Sequence, residues 1–130
     1  MVILELDLNS DTPIYLQIKE KIIEGIALKQ LVPGEGLPSV RALASDLGVN
    51  MHTVNKAYQL LKQDGYLLIH RQKGVVIQPE GMPSVDNDYL EKLKNRLQPL
   101  ISESVCRGMT SEQFMRICHD ILGQFEEKGE

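Results

Sequence analysis

A chain of 130 residues with a net charge of −4, two cysteines and 42% hydrophobic residues has room for one core and a short appendage, not for two ordinary domains. No apolar run approaches the roughly 18 residues of a membrane span, the opening MVILELDLNSD lacks a small-residue cleavage site, and Cys106 and Cys118 are too few for a disulfide scaffold, so a soluble cytoplasmic protein with buried free thiols is expected. The acidity is local: residues 1–78 hold eight Lys/Arg and eight Asp/Glu, whereas residues 79–130 hold six and ten.

Residues 3–8, ILELDL, alternate apolar and polar and predict a short strand or extended arm. From Pro13, suited to a first helical turn, Ile14, Tyr15, Ile18, Ile22 and Ile26 recur at three-to-four spacing and predict a helix over about 12–28. Two prolines and two glycines make residues 31–38 a turn-rich connector. Ser39 is an N-cap candidate for a short helix with Val40, Leu43, Ala44 and Leu47 on its apolar face, stopped by Gly48. Asn50 is the cap candidate for the next, whose inward stripe is Val54, Ala57, Tyr58, Leu60 and Leu61, through about Gln63, before Asp64-Gly65 breaks it. Two short helices joined by Gly48-Val49-Asn50 have the form of a helix-turn-helix. Residues 66–70 and 74–78 predict strands around the basic tip Arg71-Gln72-Lys73, a β-hairpin of the kind called a wing.

Residues 79–84 then read as a linker. Beyond them Leu90, Leu93, Leu97, Leu100, Ile101 and Val105 trace a helical stripe starting near Asp86, Asn87 or Asp88. Thr110 with Gln113 fits a capping box, and Phe114, Ile117, Cys118, Ile121, Leu122 and Phe125 trace a second stripe. Two such helices enclose too little interior to stand alone. Their faces are expected against another copy or the first domain, the symmetric dimer being the commoner solution. The fold class is therefore mainly α with a small β-hairpin. A winged helix-turn-helix spans 11–78 (helix-turn-helix about 39–58, wing about 66–78), followed by a linker at 79–85 and a two-helix dimerisation tail at 86–127.

The residues on these elements carry a resemblance. Pro13-Ile14-Tyr15-x-Gln17-Ile18, Pro33-Gly34-x-x-Leu37-Pro38-Ser39-x-Arg41-x-Leu43-Ala44-x-x-Leu47 and Thr53-Val54-x-Lys56-Ala57-Tyr58-x-x-Leu61-x-x-x-Gly65 resemble the DNA-binding domain of GntR-family regulators, over about residues 11–78. The short tail, by its length and pattern, is similar to the YtrA subfamily, which lacks a large effector domain. The resemblance implies a transcription regulator, with repression of an inverted-repeat operator by a homodimer as the expected mode. It also implies a phosphate or guanine contact for Arg41. Family relatives commonly respond to metabolites, so a small-molecule effector stays open as a partner, but the sequence names no ligand and no cofactor. Three positions differ from the family pattern: Met51 and Asn55 stand where many relatives have an arginine in the recognition helix, the tip Gln72-Lys73-Gly74 keeps only the second of two usual glycines, and Lys29 replaces a frequent glycine at the end of the first helix.

The major groove admits one α-helix, whose first turn reaches base edges, so Asn50, Met51, His52, Thr53 and Asn55 are the candidate readout residues. Asn55 suits a bidentate contact to adenine, and Thr53 a phosphate or a thymine methyl, while Asn50 divides its side chain between capping and readout. Beside Arg41, Lys56, Arg71 and Lys73 complete a basic rim that neutralises phosphates, an attraction acting within about 8–10 Å and therefore compatible with an acidic tail, and Ser39 is a further candidate DNA contact. The alternative for Arg41 is a surface ion pair with Asp46 or Glu35. Catalysis fails on inventory: His52, His70 and His119 lie on different elements, none at metal-ligand spacing, and no nucleophile or phosphate-loop motif is present. A winged helix used only for protein contacts is the remaining competitor, which has no reason to align its cations on one face.

Overall fold

In the computed structural model, which describes residues 5–128, the apolar stripes of α1 (Ile14–Ala27), α2 (Val40–Leu47) and α3 (Met51–Gln63) meet in one core under a hairpin of β1 (Leu67–His70) and β2 (Gly74–Ile77). Ile18 and Ile22 of α1, Leu43 and Ala44 of α2, and Val54, Ala57, Tyr58 and Leu61 of α3 are buried, with Leu31, Leu67 and Ile77 closing the cluster. Burial of each such large side chain contributes about 1.5–3 kcal/mol. No charged side chain among the described residues enters the core. Its one phenol, Tyr58, donates to the carbonyl of Pro38 at 2.8 Å.

Local signals set the helix ends. The Ser39 Oγ accepts from the Ala42 N–H at 3.1 Å and the Asn50 Oδ1 from the His52 N–H at 2.7 Å, satisfying donors that an α-helix leaves open. Helix α2 closes on Gly48, with a φ of 69° and the Val49 N–H donating back to Ala44. The same closure follows α3 at Gly65, where the Tyr66 N–H reaches Leu61. At the end of α1 the left-handed position falls to Lys29, with a φ of 62°, and the Gln30 N–H donates to Gly25. The expectation of a side chain in a glycine's place is thus met.

Two stretches differ from their sequence reading. The connector does more than turn: the Gly34 N–H donates to Ile77, the Leu37 N–H to Val75 and the Ile77 N–H to Glu35, each at 2.8 Å. Together with the Gly36–Val76 bridge, these bonds lay the connector along the free edge of β2, whose other edge pairs antiparallel with β1 from Leu67–Ile77 to His70–Gly74. Pro33 and Pro38 flank the paired residues, so the missing proline donors are not needed. The alternating opening segment, by contrast, forms no strand over residues 5–8; its residues 3 and 4 lie outside the described residues. Gln17 accepts from the Asp7 N–H at 2.8 Å and donates to the Asp7 and Thr12 carbonyls at 2.9 and 2.8 Å. It thereby occupies both backbone groups of Asp7 that a neighbouring strand would need.

The chain divides into two compact units at Pro83/Ser84. The second holds α4 (Asn87–Cys106) and α5 (Ser111–Lys128). Asp86 caps α4 by accepting from the Tyr89 N–H at 2.8 Å. Thr110 and Gln113 exchange the reciprocal bonds of a capping box, at 2.9 and 3.1 Å. No residue of α4 is buried; Leu97 is 38% exposed, Leu122 54% and Met115 63%. The expectation of buried thiols is corrected accordingly. Cys106 is exposed and Cys118 half-buried, both free, because α4 and α5 leave the stripes they adjoin uncovered within their own unit.

Candidate nucleic-acid interface

Four buried residues, Val54, Ala57, Tyr58 and Leu61, hold α3 on the core and leave its other side outward. Asn50, Met51, His52, Asn55 and Lys56 are exposed there, and Thr53 is half-buried. The capping bond to His52 commits the carbonyl oxygen of Asn50 and leaves its NH₂ for an outside acceptor. Val49 packs against the core cluster between the two helices, so the turn of the helix-turn-helix is anchored. Burial pushes the Tyr58 phenol well above its ordinary range. It therefore stays a donor to the Pro38 carbonyl, one residue before the Ser39 cap, and ties the start of α2 to α3.

Arg41 lies exposed on the first turn of α2. Among the described residues the ion pairs are Lys19–Asp64 at 3.3 Å, Lys92–Asp88 and Arg107–Glu103, so neither Asp46 nor Glu35 engages the Arg41 guanidinium. Lys56 places its ammonium 3.9 Å from the centre of the Tyr15 ring, a cation–π distance. These two residues line a shallow groove with Pro13, Ile14, His52 and Thr53. The sequence places Tyr15 only on the apolar stripe of α1. Its second role as a seat for Lys56 has no sequence signal, because it arises when α1 packs on α3.

Arg71, Gln72 and Lys73 are exposed at the wing tip. The tip turns through Gly74, with a φ of 76°, while Gln72, at the position of the missing glycine, keeps an ordinary negative φ. Inside the tip the His70 Nδ1 accepts from the Gln72 and Lys73 N–H groups, each at 3.1 Å. Among the described residues no group of three or more His, Cys, Asp or Glu side chains could hold a metal ion, and no helix is long and apolar enough to cross a membrane.

A helix-turn-helix with an outward second helix, followed by a hairpin, defines a winged helix-turn-helix of the DNA-binding regulators. The chain belongs to the GntR family: the family described as bacterial regulatory proteins, gntR family, matches residues 14–77, and a relative extends the likeness into the tail. That relative is the HTH-type transcriptional repressor YtrA of Bacillus subtilis (strain 168), 33% identical over 111 residues that make up 85% of each chain. Among solved structures, YtrA from Sulfolobus acidocaldarius is 41% identical with a TM-score of 0.60, over 81% of this chain and 99% of that one. A transcriptional antiterminator from Listeria monocytogenes EGD-e is 28% identical with a TM-score of 0.87, over 95% and 92%. The protein is accordingly a YtrA-like transcriptional regulator with a DNA-binding helix-turn-helix, and not an enzyme.

Proposed function

We propose that this regulator is a cytoplasmic homodimeric repressor that binds an inverted-repeat operator, each protomer laying the first turn of α3 in a major groove. The observation that carries this reading is the outward first turn of α3, held from behind by four buried side chains. In this reading Asn50, Met51, His52, Thr53 and Asn55 face base edges, while Ser39, Arg41, Lys56, Arg71 and Lys73 serve the phosphates, Arg41 with a guanine contact as its alternative. The unit spanning 11–78 reads DNA, 79–85 links, and 86–127 pairs two copies. Exposed Leu90, Leu93, Leu97, Leu100, Ile101, Ile117, Ile121 and Leu122, together with half-buried Phe114 and Phe125, support the pairing, because isolated soluble helices do not leave such stripes in water. Repression is supported by the name of the Bacillus subtilis relative.

Selection of bound sequences from a random duplex pool tests the proposal. The expected product is an inverted repeat whose half-sites lie about one helical turn, roughly 34–36 Å, or a small multiple of it, apart. Binding should weaken steeply as salt rises, since phosphate neutralisation releases counterions. A pool without enrichment, or with affinity indifferent to salt, would turn the interpretation toward a protein-contact adaptor.

A further inference from the structure

We propose that His70 is a positioning residue of the wing: its Nδ1 builds the three-residue tip and thereby sets the directions of Arg71 and Lys73. The inference rests on the DNA-binding role proposed above, in which those two cations meet phosphates.

The geometry is local and specific. His70 pairs with Gly74 as the last rung of the hairpin, and the backbone between them must reverse over Arg71, Gln72 and Lys73. Two successive N–H groups of that reversal, from Gln72 and Lys73, converge on the His70 Nδ1 at 3.1 Å each. An imidazole accepts there only with Nδ1 unprotonated, which places the ring hydrogen on Nε2. The side chain thus imitates what an aspartate or asparagine does in a turn, tying backbone donors two and three residues ahead. Among the described residues no other side chain accepts from these two amides. Arg71 and Lys73 are exposed, and neither side chain takes part in an ion pair or a hydrogen bond among the described residues. The usual first glycine of the tip is absent, and Gln72 keeps a negative φ, so an acceptor inside the tip works beside the left-handed Gly74 in place of a second glycine. A tip already ordered spends less of its binding free energy on becoming ordered at the DNA.

The substitutions that separate this role from simple bulk follow from atom positions. Asparagine puts Oδ1 where Nδ1 lies, glutamine moves its acceptor out toward the place of Nε2, and leucine fills space with no acceptor. The full chain is prepared as wild type, His70→Asn, His70→Gln and His70→Leu. For each, amide exchange at Gln72 and Lys73 is measured by NMR, and binding to the duplex obtained by selection is measured over a salt series. Slow exchange at both amides is expected in wild type and His70→Asn, and fast exchange in the other two, with the amides of α3 equally protected in all four. Affinity should drop about three- to tenfold in His70→Leu and His70→Gln, with a log–log salt slope shallower by about one to two as wing contacts are lost, and both should return in His70→Asn. The proposal is overturned if His70→Leu exchanges and binds like wild type, or if His70→Asn fails as His70→Leu does. Wild type that binds no duplex at all would instead overturn the DNA-binding role, while the exchange data still decide whether Nδ1 builds the tip.

Discussion

Lys29 holds a left-handed backbone at the end of α1, where Gly48 and Gly65 hold it after α2 and α3. A side chain in that conformation costs about 1 kcal/mol relative to glycine, so Lys29→Gly should stabilise the protein by about that amount in urea unfolding. Tyr58 works in the opposite direction: Tyr58→Phe leaves the Pro38 carbonyl without its donor and should cost about 1–3 kcal/mol. Its pH signature has a definite sign. Burial raises the phenol in the folded chain, so the unfolded chain loses that proton first, at its ordinary value of about 10. The contribution is complete below that pH and is lost as pH rises above it. Urea midpoints measured upward from about pH 9 should therefore fall more steeply for wild type than for Tyr58→Phe. If Arg41 holds the place proposed for it, Arg41→Ala should weaken specific binding by about 1–3 kcal/mol, judged from a good base-edge contact; an undiminished gel-shift affinity would remove Arg41 from the proposed site.

Elements were legible where their signals are local. Ser39, Asn50 and the Thr110–Gln113 box cap the helices that they were expected to cap, because a cap is settled within four residues. The connector's bonding to β2 was not legible, since it joins Gly34 and Leu37 to Ile77 and Val75 and no pattern inside 31–38 announces a partner so distant in sequence. Helix α4 presents a different case. It continues through Pro99, although proline removes a backbone donor and crowds the preceding turn. Replacing Pro99 with alanine should raise helicity and stability, by at most about 3 kcal/mol. A circular-dichroism melt showing loss of stability would mean that the proline's local shape serves the helix's packing.

For the whole molecule, the homodimer proposed above assigns to the tail the joining of two reading heads. Leu97→Asp combined with Ile121→Asp places charge on the exposed stripes of α4 and α5. The expected result is a halved mass in sedimentation and operator binding weakened by a factor on the order of 10² or more, as two linked half-site contacts become one. Retention of the dimer would show that other residues pair the copies. The amino-acid order alone determined the helix stripes, the caps, the hairpin and the family, because periodicity, capping and turn chemistry act over a few neighbouring residues. Only the folded arrangement decided that Lys56 sits on Tyr15, that the connector borders β2, that His70 gathers the amides of the wing tip, and that Cys106 stands in the open. Such facts depend on where side chains and strand edges meet in three dimensions, and short-range spacing carries no record of that.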